Sequence, residues 1–374
     1  MEDFDSKKKI LLGIKKKILH MPNNIQKVNI TESFVQLLGY YQETNNLSIE
    51  DLDEVNIERE FTDKYERKII SATQRQIEEV ANLAPYIYDK FNSIIDEYKK
   101  NGFCSYEFEL YQKINPKKGY RLVDDFFKFL GDDVRSLYHK IVIDGNFSTI
   151  NCADYLGVSM NPIPIDNPCM IVRSLEEYLI YYFTIAHEMG HCYQFYLQRN
   201  HPRIETFNPY TEITSILFEK MFAYFLDKNY EFPKALANYE IDEKIYFLND
   251  LASSKVLCEL FMNNDINHID ANNLCYECNV PLFELRKKMI KDCGYIMANK
   301  LYLELTEFHY AFGEIIASYF MNKMDSDFQS AWKEYKNFIC TVNDYPLKEI
   351  LDKYMDVDLM KNNIKAFIKS YRSR

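Results

Sequence analysis

The sequence predicts a mainly helical protein carrying one small β-sheet, and three observations carry that prediction. Punctuation is sparse, with only 10 glycines and 11 prolines in 374 residues. Long stretches show apolar residues at helical spacing, and strand signals are nearly absent after Tyr230. Helix breakers and a short apolar run instead gather in one place, between Asn146 and Arg173. The chain is 47% hydrophobic and 15% aromatic, enough apolar surface for one large core or for two lobes sharing an interface.

The first clear helix is marked by Ile70, Ile77, Val80, Ala84, Ile87, Phe91 and Ile94, which recur at steps of three, four or seven and so share one face. Pro85 is expected to kink it. The acidic stretch from Ile49 to Glu60 and the segment Lys99 to Gly102 read as connections. This places a helical layer over residues 1–100 and a catalytic region over 101–374.

Next, Asp154, Gly157, Asn161, Pro162, Pro164, Asn167 and Pro168 exclude a helix, and Met170 to Val172 read as a short strand of a small sheet. Ser174 and Glu177 have capping-box spacing, which predicts a helix from Leu175 through Tyr196. Asn208 followed by Pro209 marks another start, with a helix through about Leu226. The basic, partly apolar tail from Met360 reads as an amphipathic helix packed on the domain.

Inside the capped helix stands Ala186-His187-Glu188-Met189-Gly190-His191. Residues four apart lie on one helical face, so both imidazoles can reach one zinc ion, while Glu188 is turned about 100° away and points beside the metal. A carboxylate so placed suits a general base toward water that the ion acidifies. For the third ligand, Glu205 and Glu212 are the near candidates. Glu205 lies in a polar connection, whereas Glu212 lies on the following helix, whose fixed backbone favours it. Glu219, two turns further on the same face, is placed to hydrogen-bond a ligand imidazole.

These residues resemble the zinc peptidases typified by thimet oligopeptidase and oligoendopeptidase F. Phe183 to His191 is similar to that group's F-T-L-A-H-E-x-G-H signature, and Glu212 to Glu219 to its second signature, a ligand Glu, a small-residue pair and a second Glu. Pro168 to Val172 looks like the strand before the metal helix, which borders the substrate cleft in relatives and offers a place for peptide backbone to pair. Tyr310-Ala311-Phe312-Gly313 resembles a segment that sets a tyrosine over the metal, where a phenol donates to the oxyanion. His309 is its neighbour and a further catalytic candidate. The histidine that relatives often carry upstream of that tyrosine is missing, and Lys300 and Tyr302 stand in that neighbourhood. The likeness runs from about Val123 to Ser318. It implies a mostly helical two-lobed fold with a deep channel, one zinc ion per chain, and hydrolysis of oligopeptides. Relatives are longer, with a larger N-terminal lobe, so an exopeptidase stays open, as does a non-catalytic peptide- or metal-binding scaffold.

Other classes are argued against directly. The net charge of -11 disfavours a nucleic-acid partner, which needs clustered Lys and Arg. No stretch has the roughly 18 uncharged apolar residues of a membrane span. Lysines interrupt each apolar run from Met1 to His20, unlike a secretory signal. Nine scattered cysteines suit a reducing compartment, so a cytoplasmic location is expected, and Cys275 with Cys278 reads as two reduced thiols in a loop.

Overall fold

The computed structural model describes residues 4–20, 83, 85–97, 112–150, 156–160, 168–199, 210–229, 232, 236, 239–240, 242–251, 306–342 and 345–372. The chain is mostly helical with one small sheet, as the sequence predicts. It divides into two compact units, Met1–Ala72 with Gln112–Thr206, and Thr73–Tyr111 with Phe207–Arg374. The expected boundary near Asn101, the acidic stretch 49–60, and the first residues of the predicted long helix lie outside the described residues, as do Glu205, Lys300, Tyr302 and the Cys275/Cys278 pair.

In the first unit, α1 (Phe4–His20) precedes α2 (Pro116–Leu130) and α3 (Asp132–Ile143). Asn115 caps α2 by accepting from the Lys117 N–H, and Pro116 takes the first turn, where no amide partner is needed. Leu122, Val123, Phe126, Phe127 and Leu130 then fall on its buried face at helical spacing. Gly131, with φ 145°, turns the chain into α3, a backbone angle that side chains rarely tolerate.

Three strands follow, β1 (Phe147–Ile150), β2 (Gly157–Met160) and β3 (Cys169–Arg173), in the order β1-β3-β2. β3 is central, parallel to β1 and antiparallel to β2. Its residues Cys169 to Val172 are all buried, which explains why it reads as an unbroken apolar run.

The helix α4 runs over Leu179–Gln198, four residues later than its capping-box signal indicates. The reason is a long-range backbone contact. Tyr178 forms an antiparallel bridge with Lys113, the Ile114 N–H donates to the Glu177 carbonyl, and the Leu179 N–H donates to the Gln112 carbonyl. These bonds hold Tyr178 extended, at φ -125° and ψ 147°, so helical geometry begins only after it. From there α4 is buried around most of its circumference, as a core helix is. It packs on β2 and β3, and the Tyr193 hydroxyl donates to Asp133 at 2.6 Å, tying it to α3.

In the second unit, residues 85–97 are helical, and Ile87, Phe91, Ile94 and Ile95 are fully buried. Leu83 and Pro85 are both helical, and residue 84 between them, where the expected kink would show, lies outside the described residues. The helix α5 (Thr211–Asn229) packs along α6 (Thr306–Ser326), and α7 (Phe328–Thr341), α8 (Leu347–Tyr354) and α9 (Val357–Arg372) complete the unit. The closeness of α5 and α6 depends on Gly313: a Cβ there would lie 2.8 Å from the Glu212 carbonyl carbon and 2.9 Å from Ile216 Cδ1. The Tyr335 hydroxyl donates to Thr214 at 2.6 Å in the interior. In α9 the apolar side chains Met360, Ile364 and Ile368 recur at steps of four and are buried, the packed tail that the sequence indicates. Among the described residues, no helix is long and apolar enough to cross a membrane.

Candidate metal centre

The helix α4 places His187 and His191 one turn apart, both half-buried, with their Nε2 atoms 3.2 Å from each other. The rings stand nearly edge to face, with centroids 4.9 Å apart and an interplanar angle of 77°. Two imidazole nitrogens bound to one tetrahedral zinc at about 2.05 Å stand about 3.3 Å apart, so the observed pair already has the spacing of two ligands. Neutral imidazole nitrogens with a carboxylate are, moreover, a donor set that suits zinc. Among the described residues, His187, His191 and Glu212 form a group that could hold a metal ion.

Glu188 lies between the two histidines in sequence but is 4% exposed, turned toward β2. A Cβ on Gly157 would lie 2.6 Å from Glu188 Oε1, 2.8 Å from its Cγ and 2.6 Å from Thr184 Cγ2. The absent side chain of Gly157 is therefore the space that the Glu188 side chain occupies. Ser159, two residues along the same strand, donates from Oγ to the Glu188 carbonyl at 2.7 Å. Gly157 and Ser159 were not legible as site residues. Gly157 reads from sequence only as a helix breaker, although a glycine inside a strand is also the signal of a close tertiary approach.

One expectation is corrected here. Pairing of a peptide with Pro168 to Val172 is excluded for the strand itself, because β3 is hydrogen-bonded to β1 on one side and β2 on the other. The strand that lies against Glu188 is β2, an edge of the sheet among the described residues.

In the second unit, Glu212 stands in the first turn of α5 and is buried at 8% exposure. Ser215 Oγ lies 2.8 Å from Glu212 Oε2 and 3.1 Å from the Glu212 carbonyl oxygen. From α6 come the other two candidates. His309 is buried, and burial pushes its pKa down to about 4 against the opposing pull of the Glu212 charge, so the ring is neutral near pH 7. Tyr310 is 36% exposed, open enough for its phenol to meet a solute. Glu219 is half-buried and accepts from the Tyr239 hydroxyl at 3.4 Å.

A further half-buried charged group lies between α5, α6 and the helical residues 242–251. Lys220 pairs with Glu243 and, at 2.9 Å, with Glu314, which also accepts from Ser318 at 2.9 Å. Burial, and after it the Glu243 charge, hold the Glu314 carboxyl up, at about 7, against the lowering pull of the cationic Lys220.

No family model matches the chain, and no curated protein does. Solved structures do match in backbone course. A presumed peptidase from Chlamydophila abortus shares 18% identity at a TM-score of 0.46, with 80% of this chain and 54% of that one covered. A presumed oligoendopeptidase F solved at 3.1 Å shares 15% at 0.49, covering 81% and 57%. Another, from Bacillus anthracis, shares 13% at 0.47, covering 82% and 55%. The chain spans a little over half the length of each of them.

Proposed function

We propose that this chain is a zinc-dependent peptidase that cleaves peptide bonds in oligopeptides, with His187, His191 and Glu212 as the metal ligands. The observation that carries the reading is the pair of half-buried imidazoles with Nε2 atoms 3.2 Å apart, beside a buried glutamate aimed at the edge strand. A zinc ion there supplies Lewis acidity, which acidifies water and polarises a carbonyl.

The chain's own groups do the rest. Glu188 accepts the proton of the attacking water and delivers it to the leaving amine, and its burial under β2 holds the carboxylate at one place for both transfers. Tyr310 donates its phenolic hydrogen to the oxyanion of the tetrahedral intermediate. His309, the neighbouring candidate on the same helix, is buried beside it. The substrate backbone runs as an added strand along the edge of β2, where main-chain hydrogen bonds bind a peptide with little regard to its side chains.

The experiment is metal analysis of the purified chain combined with cleavage of internally quenched peptides. One zinc per chain with metal-dependent cleavage is the expected result. A metal-free chain that cleaves peptides, or a zinc-loaded one that binds but never cleaves them, would remove the peptidase reading. Peptides of graded length with free and blocked ends then separate endopeptidase from exopeptidase action.

A further inference from the structure

The second motif counts Ser215 as one of two small residues, yet in the structure it is the side chain that seats Glu212. Ser215 is fully buried, and its single hydroxyl lies 2.8 Å from Glu212 Oε2 and 3.1 Å from the Glu212 carbonyl oxygen. A serine inside a helix ordinarily turns its hydroxyl back to a carbonyl of the preceding turn. Here the same turn brings it to the carboxylate as well. The terminal torsion of a glutamate is broad and roughly two-fold, so without a partner the carboxylate would sample many orientations. The backbone beneath it is also pinned, because Gly313 of α6 lies so close that a Cβ would stand 2.8 Å from the Glu212 carbonyl carbon.

We infer that Ser215 is a positioning residue for the metal ligand Glu212. It holds Oε2 by a hydrogen bond, and with Gly313 fixing the backbone it presets the carboxylate for the ion. The inference rests on the metal reading above. It adds that Ser215 contributes to zinc affinity through Glu212 and not through the stability of the helix. Hydrogen-bond partners of ligands typically change metal affinity by about 10–100-fold, and that is the expected contribution.

The test measures the zinc dissociation constant of the full chain by competition with a chromogenic chelator, alongside the melting temperature of the metal-free protein. Ser215→Ala is expected to weaken zinc binding by about 10–100-fold. Thr214→Val removes the neighbouring buried hydroxyl, which accepts from Tyr335, and is expected to lower the melting temperature while leaving zinc affinity as in the wild type. Ser215→Thr keeps a hydroxyl and is expected to stay closer to wild type than Ser215→Ala. In a Glu212→Ala background, Ser215→Ala should change affinity by less than about twofold, since the group it acts through is gone.

Unaltered zinc affinity in a folded Ser215→Ala protein would overturn the inference, as would an equal loss in the presence and absence of Glu212. A Ser215→Thr protein as weak as the alanine variant would overturn it too. A wild-type chain that binds no zinc would instead overturn the metal reading itself, and this inference with it.

Discussion

Adding one methyl group at Gly157 tests whether β2 positions the catalytic base. In Gly157→Ala the new Cβ would lie 2.6 Å from Glu188 Oε1, 2.8 Å from Glu188 Cγ and 2.6 Å from Thr184 Cγ2. Ordinary carbon contacts begin near about 3.5 Å, so up to about 0.9 Å must be recovered. Thr184 is held by its hydroxyl bond to the Ile180 carbonyl at 3.0 Å, and β2 by its ladder to β3 and by Ser159. The Glu188 side chain is the part that can yield. Overpacking of this kind costs about 1–3 kcal/mol in stability, and a displacement near 1 Å in a reacting group costs about 100-fold in rate. Zinc content should stay at the wild-type level, because the atoms nearest the new methyl belong to Glu188 and Thr184 and not to the imidazoles. The assay is kcat/KM on a quenched peptide, with metal content and melting temperature measured on the same sample. Full activity in Gly157→Ala would refute the idea that this glycine makes room for the base.

Three further outcomes are expected. Glu212→Ala should lose most of its zinc, read by metal analysis after dialysis, since two imidazoles alone bind weakly; full retention would move the third ligand to Glu205. Tyr310→Phe should keep zinc and fold while kcat falls by about 100-fold, because only a transition-state donor is removed, and an unchanged kcat would remove Tyr310 from the site. For Glu314, held up at about 7 from 4.5, the folded state binds the proton more tightly than the unfolded one, so its contribution is present below about 4.5 and is lost as pH rises through about 7. Denaturant unfolding of the metal-free protein from pH 5 to 8 should therefore show the wild type losing stability relative to Glu314→Gln, and a difference of opposite sign would refute the assignment.

What the sequence discloses here follows from the range of the interaction concerned. His187, Glu188 and His191 are legible because a helix turns i and i+4 to one side whatever surrounds it. The strand at Cys169 to Val172 is legible because a doubly covered strand reads as an apolar run. The start of α4 is not, since the bridge from Lys113 to Tyr178 joins residues far apart in sequence and overrides a local capping signal. Gly157 beside Glu188 and Gly313 beside Glu212 are likewise close approaches between distant segments. Lys220 carries the same lesson. On a helix it reads as a surface cation, and only the arrival of Glu243 and Glu314 from elsewhere in the chain makes it a paired, half-buried one. Ser215 is a local partner of Glu212, but a serine in a helix has so many ordinary uses that spacing alone does not single it out.

The most direct test of the account is Glu188→Gln. The amide keeps the size of the buried side chain and removes its ability to accept a proton, so binding should survive while chemistry fails. One zinc per chain, a melting temperature close to wild type, intact peptide binding and cleavage reduced by about two to four orders of magnitude are the expected results. Cleavage at the wild-type rate by a zinc-loaded Glu188→Gln protein would contradict the account at its centre.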